Sequence, residues 1–431
     1  MLGRRVPPPA ATAVVGAKRG DEMIVQTWKG DRMNGAHCQE SKAHAADSSG
    51  GSAPLNPTAM GEDEMTAYLP QRNVLIGVST VVLTLASGCV RVSNWNLVWH
   101  ERTVEQEVPR GEASALDVQT TAGSIEVTGT ETEDVHVVAT IRAGAPTEKE
   151  AQQLAEQVAI RLKPVGQTLR IRAATPALTR GRSVQVSYAI GSLREMAVRC
   201  DSGYGAIHVA GIRGTVGGKT GNGSIHVQDV QGPVEVHSSY GSITCRNVTG
   251  QMVRLRSGNG SIAASDVRGS ADLRSSYGAV TCERLSDGNL RLHSGNGRVV
   301  VVESTFGVCD ARSSYGKVGG NALKGESIKM ESGNGGVELT DGQADRIVLS
   351  SSYGKVEARQ IVTSELAAHS GHGGLNIVCS PATSSDLKAE VTSSYGGIDF
   401  AASPDFAGEV LLRTDYGSVH TDLPIAMTGE I

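Results

Sequence analysis

From residue 198 onward apolar residues occupy every second position, break at a glycine, and resume the same alternation beyond it. Successive strand side chains point to opposite faces, so this pattern predicts strand, turn, strand. The glycine recurs at 205, 223, 241, 260, 278, 297, 316, 335, 354, 373, 396 and 417, mostly 18 or 19 residues apart. Two positions after it stand Ile207, Ile225, Ile243, Ile262, Val280, Val299, Val318, Val337, Val356, Leu375, Ile398 and Val419. Five before it come Val236, Leu255, Leu273, Leu292, Ala311, Met330 and Leu349; seven before it, Val234, Val253, Ala271, Leu290, Cys309, Ile328 and Ile347. Ile212, Val230, Val248, Val267, Leu285 and Leu323 mark a further inward position seven after it. A position that keeps one residue class through so many repeats predicts parallel stacking, each coil covering the next. The expected fold is all-β: a single-stranded parallel β-helix of about twelve 18–19-residue coils over 198–431, with a small N-terminal α+β capping segment. At ~4.8 Å per rung it forms a rod of about 60 Å. A propeller built on the double repeat is the alternative, but an antiparallel blade gives no reason for identical columns in both halves.

Two kinds of corner alternate. Odd coils carry Tyr204-Gly205, Tyr240-Gly241, Tyr277-Gly278, Tyr315-Gly316 and Tyr353-Gly354; even coils carry Asn222-Gly223, Asn259-Gly260, Asn296-Gly297 and Asn334-Gly335, then His372-Gly373. Asn and Gly tolerate positive φ, so the Gly-Asn-Gly corner is expected to turn through the left-handed region. Each Tyr ring is expected to cover the bare corner of a neighbouring coil, the rival role being an aromatic ladder for sugar rings. Ser238, Ser257, Ser275, Ser294, Ser313, Ser332 and Ser351 form one column. Repeating a nucleophile coil after coil serves no chemistry, whereas a hydroxyl ladder beside the turn serves the backbone. Glu235, Arg254, Asp272, Arg291, Asp310 and Lys329 alternate in sign one coil apart. Such pairs contribute ~0.2–1 kcal/mol each and fix register. Two positions on, His237, Arg256, Arg274, His293 and Arg312 lean basic, suiting a solvated face or a polyanion.

The segment 116–197 differs. Leu116, Val118, Ile125 and Val127 around Gly123 read as one isolated coil, followed by a strand at Val135–Ala143. Thr147-x-x-Glu150 is a capping box, and Ala151, Leu154, Ala155, Val158 and Leu162 share a helical face ended by Lys163-Pro164. Strands are expected at Leu169–Ala173 and Val184–Tyr188, and the helix is expected to cap the open end of the stack.

Residues 1–64 show no apolar period and are expected to be disordered, or upstream sequence translated from too early a start; 89–115 is expected as a linker. Between them, 65–88 holds one Arg, the apolar run Val74–Ala86, and Ser87-Gly88-Cys89, as a secretory signal does. Leu85-Ala86-Ser87-Gly88-Cys89 resembles the lipobox of bacterial lipoproteins, with the Leu four positions before the Cys. That resemblance implies lipidation of Cys89, translation from Met65 or Met60, and a mature chain of 89–431 held at the membrane.

Composition sharpens the picture. Glycine is 53 of 431 residues while Phe, Trp and Tyr together make 3%, as a narrow coil interior demands. A net charge of −5 gives no broad basic field, so nucleic acid is not an expected partner. Of seven cysteines, Cys245, Cys282, Cys200 and Cys309 fall in inward columns and Cys379 in none; no metal pair or disulfide is expected. His208 and His226 share a column but lack a third ligand. No cofactor is expected. Coils of this length leave no room for catalytic loops before the insert Ser380–Ser385, with only Asp386 near it.

The order of signal, first coil, strand, helix, two strands and repeated Ser-x-x-Gly-x-[Ile/Val] resembles the bacterial "putative adhesin" family, a β-helical surface domain of unknown function. It implies a non-catalytic, lipid-anchored extracytoplasmic protein of the cell envelope, an adhesin-like module or scaffold meeting a glycan, an envelope polymer or a surface protein. A structural envelope component and a β-helical carbohydrate-active enzyme remain the alternatives.

Overall fold

The computed structural model describes residues 97–383, 386–403 and 408–423 in full, and the backbone of 12–19 and 22–29. Cys38, the signal segment 65–88, Cys89 with its lipobox, and the last residues of the chain lie outside the described residues.

The repeated columns stack as the alternation requires. Ile207 pairs in parallel with Ile225, and that rung continues coil by coil through Ile243, Ile262, Val280 and Val299 to Ile398 and Val419. Val198, Val216, Val234 and Val253 form the matching column before the corner. Both columns are buried apart from the half-buried Val419 at the far end, as are Ile212, Val230, Val248, Val267, Leu285, Leu323 and Ile361 beyond the corner. One apolar core thus runs through the stack, filled by Val, Ile, Leu, Ala and buried Cys.

The N-terminal coil is not isolated. Strands β4 (Ala115–Ala122) and β5 (Ile125–Thr130) pair in parallel with β10 (Ala197–Tyr204) and β11 (Ile207–Ala210). On their other side lie β8 (Thr168–Ala174) and β9 (Ser183–Leu193), parallel again. The chain therefore lays its second rung before its first. Antiparallel pairing ends the stack: β6 (Asp134–Ala145) pairs with β9 and with β3 (Val98–Pro109), and β7 (Ala159–Val165) with β8. Residues 98–109 are thus strand where a linker was expected; half-buried polar residues alternating with exposed ones hide the strand from an apolar count.

Helix α1 (Glu148–Gln157) packs on β3 and β6 through Ala151, Leu154 and Ala155. Thr147 caps it, its Oγ1 accepting from Glu150 N at 3.3 Å. It ends two turns before the expected Pro164. Val158 is already extended, and Ile160 and Leu162 alternate into β7, an edge strand where Pro164 is tolerated. Arg102 of β3 donates to the carbonyls of Ala155, Glu156 and Val158 at 3.1–3.5 Å, closing the helix C-terminus.

Within 1–64, two strands, β1 (Thr12–Arg19) and β2 (Glu22–Lys29), form an antiparallel hairpin, where no regular structure was expected. The first runs parallel to Gly408–Thr414, giving that edge of the last coils a partner.

Candidate binding face along the glycine corner

The corner is built from three neighbouring columns. Three residues before each central glycine, a Ser or Thr hydroxyl is buried and does two jobs. Ser294 Oγ donates to the carbonyl of Gly278 in the preceding coil and accepts from Gly297 N in its own, both at 2.8 Å. Ser238, Ser275, Ser313 and Ser351 repeat this double bond at 2.8–2.9 Å, and Thr220 and Thr414 extend it to both ends. The hydroxyl column is a backbone ladder.

The central glycines answer to a close approach, not to backbone sign. A Cβ on Gly223 would stand 1.7 Å from the carbonyl oxygen of Gly205, and one on Gly297 2.2 Å from that of Gly278. None of the corner glycines from Gly205 to Gly417 has left-handed φ, which corrects the expectation for the Gly-Asn-Gly corner. The left-handed turn falls six residues later, at Asp229, Asn247, Asp266, Arg284, Glu303, Ala322, Asp341 and Gln360. Asn247 bonds Asp229 at 2.6 Å and Arg284 grips Asp266 at 2.7 and 2.9 Å along that edge. The Arg284 hydrogen bonds hold the Asp266 carboxyl below its ordinary value.

One position before the central glycine, Tyr and Asn alternate rung by rung. Asn259 N donates to Ser239 O, and Tyr277 N to Gly258 O, setting Tyr240, Asn259 and Tyr277 one above another. The rings stand out from the corner instead of covering it. Tyr204, Tyr240, Tyr277, Tyr315, Tyr353, Tyr395 and Tyr416 are 56–77% exposed, because a side chain at this position leaves the coil interior. Asn222, Asn259, Asn296 and Asn334 are exposed between them. At the far end the alternation gives way to a continuous stack, Tyr353–His372–Tyr395–Tyr416, with centroids 4.8, 4.9 and 5.1 Å apart and planes within 18°.

Beside this row runs the basic column. A groove of about 630 Å³ is lined by Tyr277 and Asn296 on one side, by His237, Arg256, Arg274 and His293 on the other, and floored by Gly258, Ser276 and Gly295. Arg274 is held by Asp272 at 2.7 Å; Arg312 bonds Asp310 at 2.6 Å and approaches Glu331 at 3.2 Å. The Asp310 bond raises the pKa of Arg312 above its ordinary value. Lys219, His237, Arg256 and His293 have no ion pair among the described residues. The alternating charges of the neighbouring column are in register, Glu235 opposite Arg254 and Arg254 opposite Asp272. Among the described residues that column's one pair between coils is Arg291–Asp310, at 4.0 Å; Asp310 also bonds Arg312, and Asp272 bonds Arg274, the arginine two residues on in its own coil.

The remaining candidates are the cysteines and a histidine pair. Cys200, Cys245, Cys282, Cys309 and Cys379 are buried free thiols. Burial pushes Cys245, Cys282 and Cys379 up to about 12. A shift of register sets Cys379 opposite Ile361, giving it the inward site it lacked in the spacing. Glu126 stands in the same column as His208 and His226, a neighbour the sequence hid because 81 residues intervene. Their rings meet edge-on at 6.2 Å, and among the described residues no group of three could hold a metal.

Against known proteins, residues 183–322 match the family model of Toastrack DUF4097. That stretch, about a third of the chain, is similar to a Toastrack domain. No curated protein matches the chain. The "putative cell adhesion protein" of Clostridium sporogenes is similar over 75% of this chain and 99% of its own, at 9% identity and TM-score 0.20. The "putative adhesin" of Bacteroides fragilis aligns over 74% and 97%, at 13% identity and TM-score 0.17. The "putative lipid binding protein" of Parabacteroides distasonis aligns over 74% and 96%, at 14% identity and TM-score 0.22. The coil registers therefore rest on the chain's own pairings.

Proposed function

We propose that this protein is a non-catalytic, extracytoplasmic interaction module of the bacterial envelope, held to the membrane through a lipid on Cys89. The observation that carries the binding role is the aromatic row. Seven of the nine tyrosines stand more than half exposed on one corner of a chain otherwise poor in aromatics. The ladder beneath them is complete without the rings, so their exposure is a cost that recognition offsets.

The test is cellular adherence to surfaces coated with glycans or proteins, measured with and without the chain. Loss of adherence on deletion supports the module. Unchanged adherence together with a weakened envelope favours a structural component. Cys89→Ala is expected to move the protein from the membrane to the soluble fraction, and retention in the membrane overturns the lipid anchor.

A further inference from the structure

We propose that the four Tyr–Asn–Tyr slots along the corner seat sugar rings of a linear acidic glycan. This inference rests on the interaction-module reading and names the class of its ligand.

The molecule measures the slot itself. Between Tyr353 and Tyr395 the intervening residue is His372, and its ring lies 4.8 and 4.9 Å from its neighbours, within 18° of parallel. Upstream, the same rung between two tyrosines holds Asn222, Asn259, Asn296 or Asn334, whose side chain ends well short of a tyrosine ring. The space above each Asn is therefore one ring thick. A pyranose fits it in shape and chemistry: its C–H face packs on an aromatic face, and the carboxamide at the floor donates to and accepts from hydroxyls.

The slots also have a period. They recur every second rung, ~9.6 Å apart by strand spacing. The row ends where His372 fills the next slot and Tyr395 stacks directly on Tyr416 at 5.1 Å.

Charge sets the class of polymer. The groove at Tyr277 and Asn296 opens onto His237, Arg256, Arg274 and His293. Arg256 is exposed and without an ion pair among the described residues, placed to meet a carboxylate or sulfate on the seated sugar. A nucleic acid would need a longer run of free cations. Here Arg274 and Arg312 are already held by Asp272 and Asp310, and the whole chain carries −5.

The experiment is calorimetric titration of the full chain with length-matched oligomers of hyaluronan, polygalacturonate and heparin, of neutral cellulose, and with oligothymidylate. At least one acidic oligomer is expected to bind, more than tenfold tighter than the neutral one. Asn259→His with Asn296→His fills two slots in the way His372 fills its own, and is expected to weaken binding at least tenfold with the thermal midpoint unchanged. Tyr277→Leu empties one side of two slots and is the second variant should the histidines disturb folding. Arg256→Gln is expected to weaken binding and flatten its salt dependence. Silence from all three acidic oligomers, equal binding of the neutral one, full affinity in the slot variants, or tighter binding of oligothymidylate overturns the proposal. Such silence beside chain-dependent adherence would leave the interaction module standing with a protein partner.

Discussion

At the scale of the residue, the corner separates two demands on glycine that sequence alone merges. Gly297→Ala would put a methyl 2.2 Å from the Gly278 carbonyl and force two coils apart. Gly319→Ala, with nothing within 4 Å of the added carbon, meets no such contact. Urea unfolding is expected to show the first destabilised by several kcal/mol and the second within about 0.5 kcal/mol of the parent. Ser294→Ala leaves a buried N–H and carbonyl without their shared partner and is expected to cost about 1–3 kcal/mol. Exposed Ser276→Ala is the control, expected to change little. The hydroxyl role was legible because the column repeats. The reason for glycine was not, since close approach and positive φ favour the same residue, and only coordinates show which one acts.

At the scale of the element, strands were legible wherever the apolar alternation was uninterrupted. Ile207 to Val419 could be placed rung by rung from spacing alone. The cap was harder. Strand β3 carries His100, Arg102 and Gln106 on its half-buried face, so its alternation is one of burial and not of polarity. Helix α1 is shorter than its sequence predicts because Ala151 to Leu162 satisfies a helical period, while Val158 to Leu162 also satisfies a strand period, and pairing with β8 decides for the strand. Arg102→Ala is expected to loosen the C-terminal turn of α1, seen as faster amide exchange at Val158, whose N–H bonds Ala155 O at 3.3 Å. Of the candidate site, the Tyr and Asn positions were legible as an alternation. Their neighbours in space, the basic column and the His372 slot, needed the coil to be wound.

At the scale of the whole molecule, five buried thiols tie stability to pH. Cys245, Cys282 and Cys379 have folded values raised from 9.0 to about 12. Below pH 9 folded and unfolded chains both hold these protons, and the contribution is complete. Above it the unfolded chain releases them while the fold does not, so stability falls as pH rises towards 12. The urea midpoint is expected to drop between pH 8 and pH 10.5, and less so in Cys245→Val with Cys282→Val, since Val227 and Val301 already occupy that column. Iodoacetamide at pH 8 is expected to leave all five thiols unlabelled until the chain unfolds.

The order in which the rungs are laid has a consequence for where this protein can be cut. The Toastrack match begins at residue 183, in the outermost rung, and continues with the third. The rung between them is spelled by residues 115–130, long before either neighbour. A fragment of 183–322 would hold Tyr188 and Ile207 two rungs apart with an empty course in the masonry between. It is expected to give no cooperative melt by circular dichroism until the missing stretch is supplied, whether in the same chain or as an added peptide. The boundary drawn by similarity and the boundary drawn by folding are therefore different lines, and only the second can be cut.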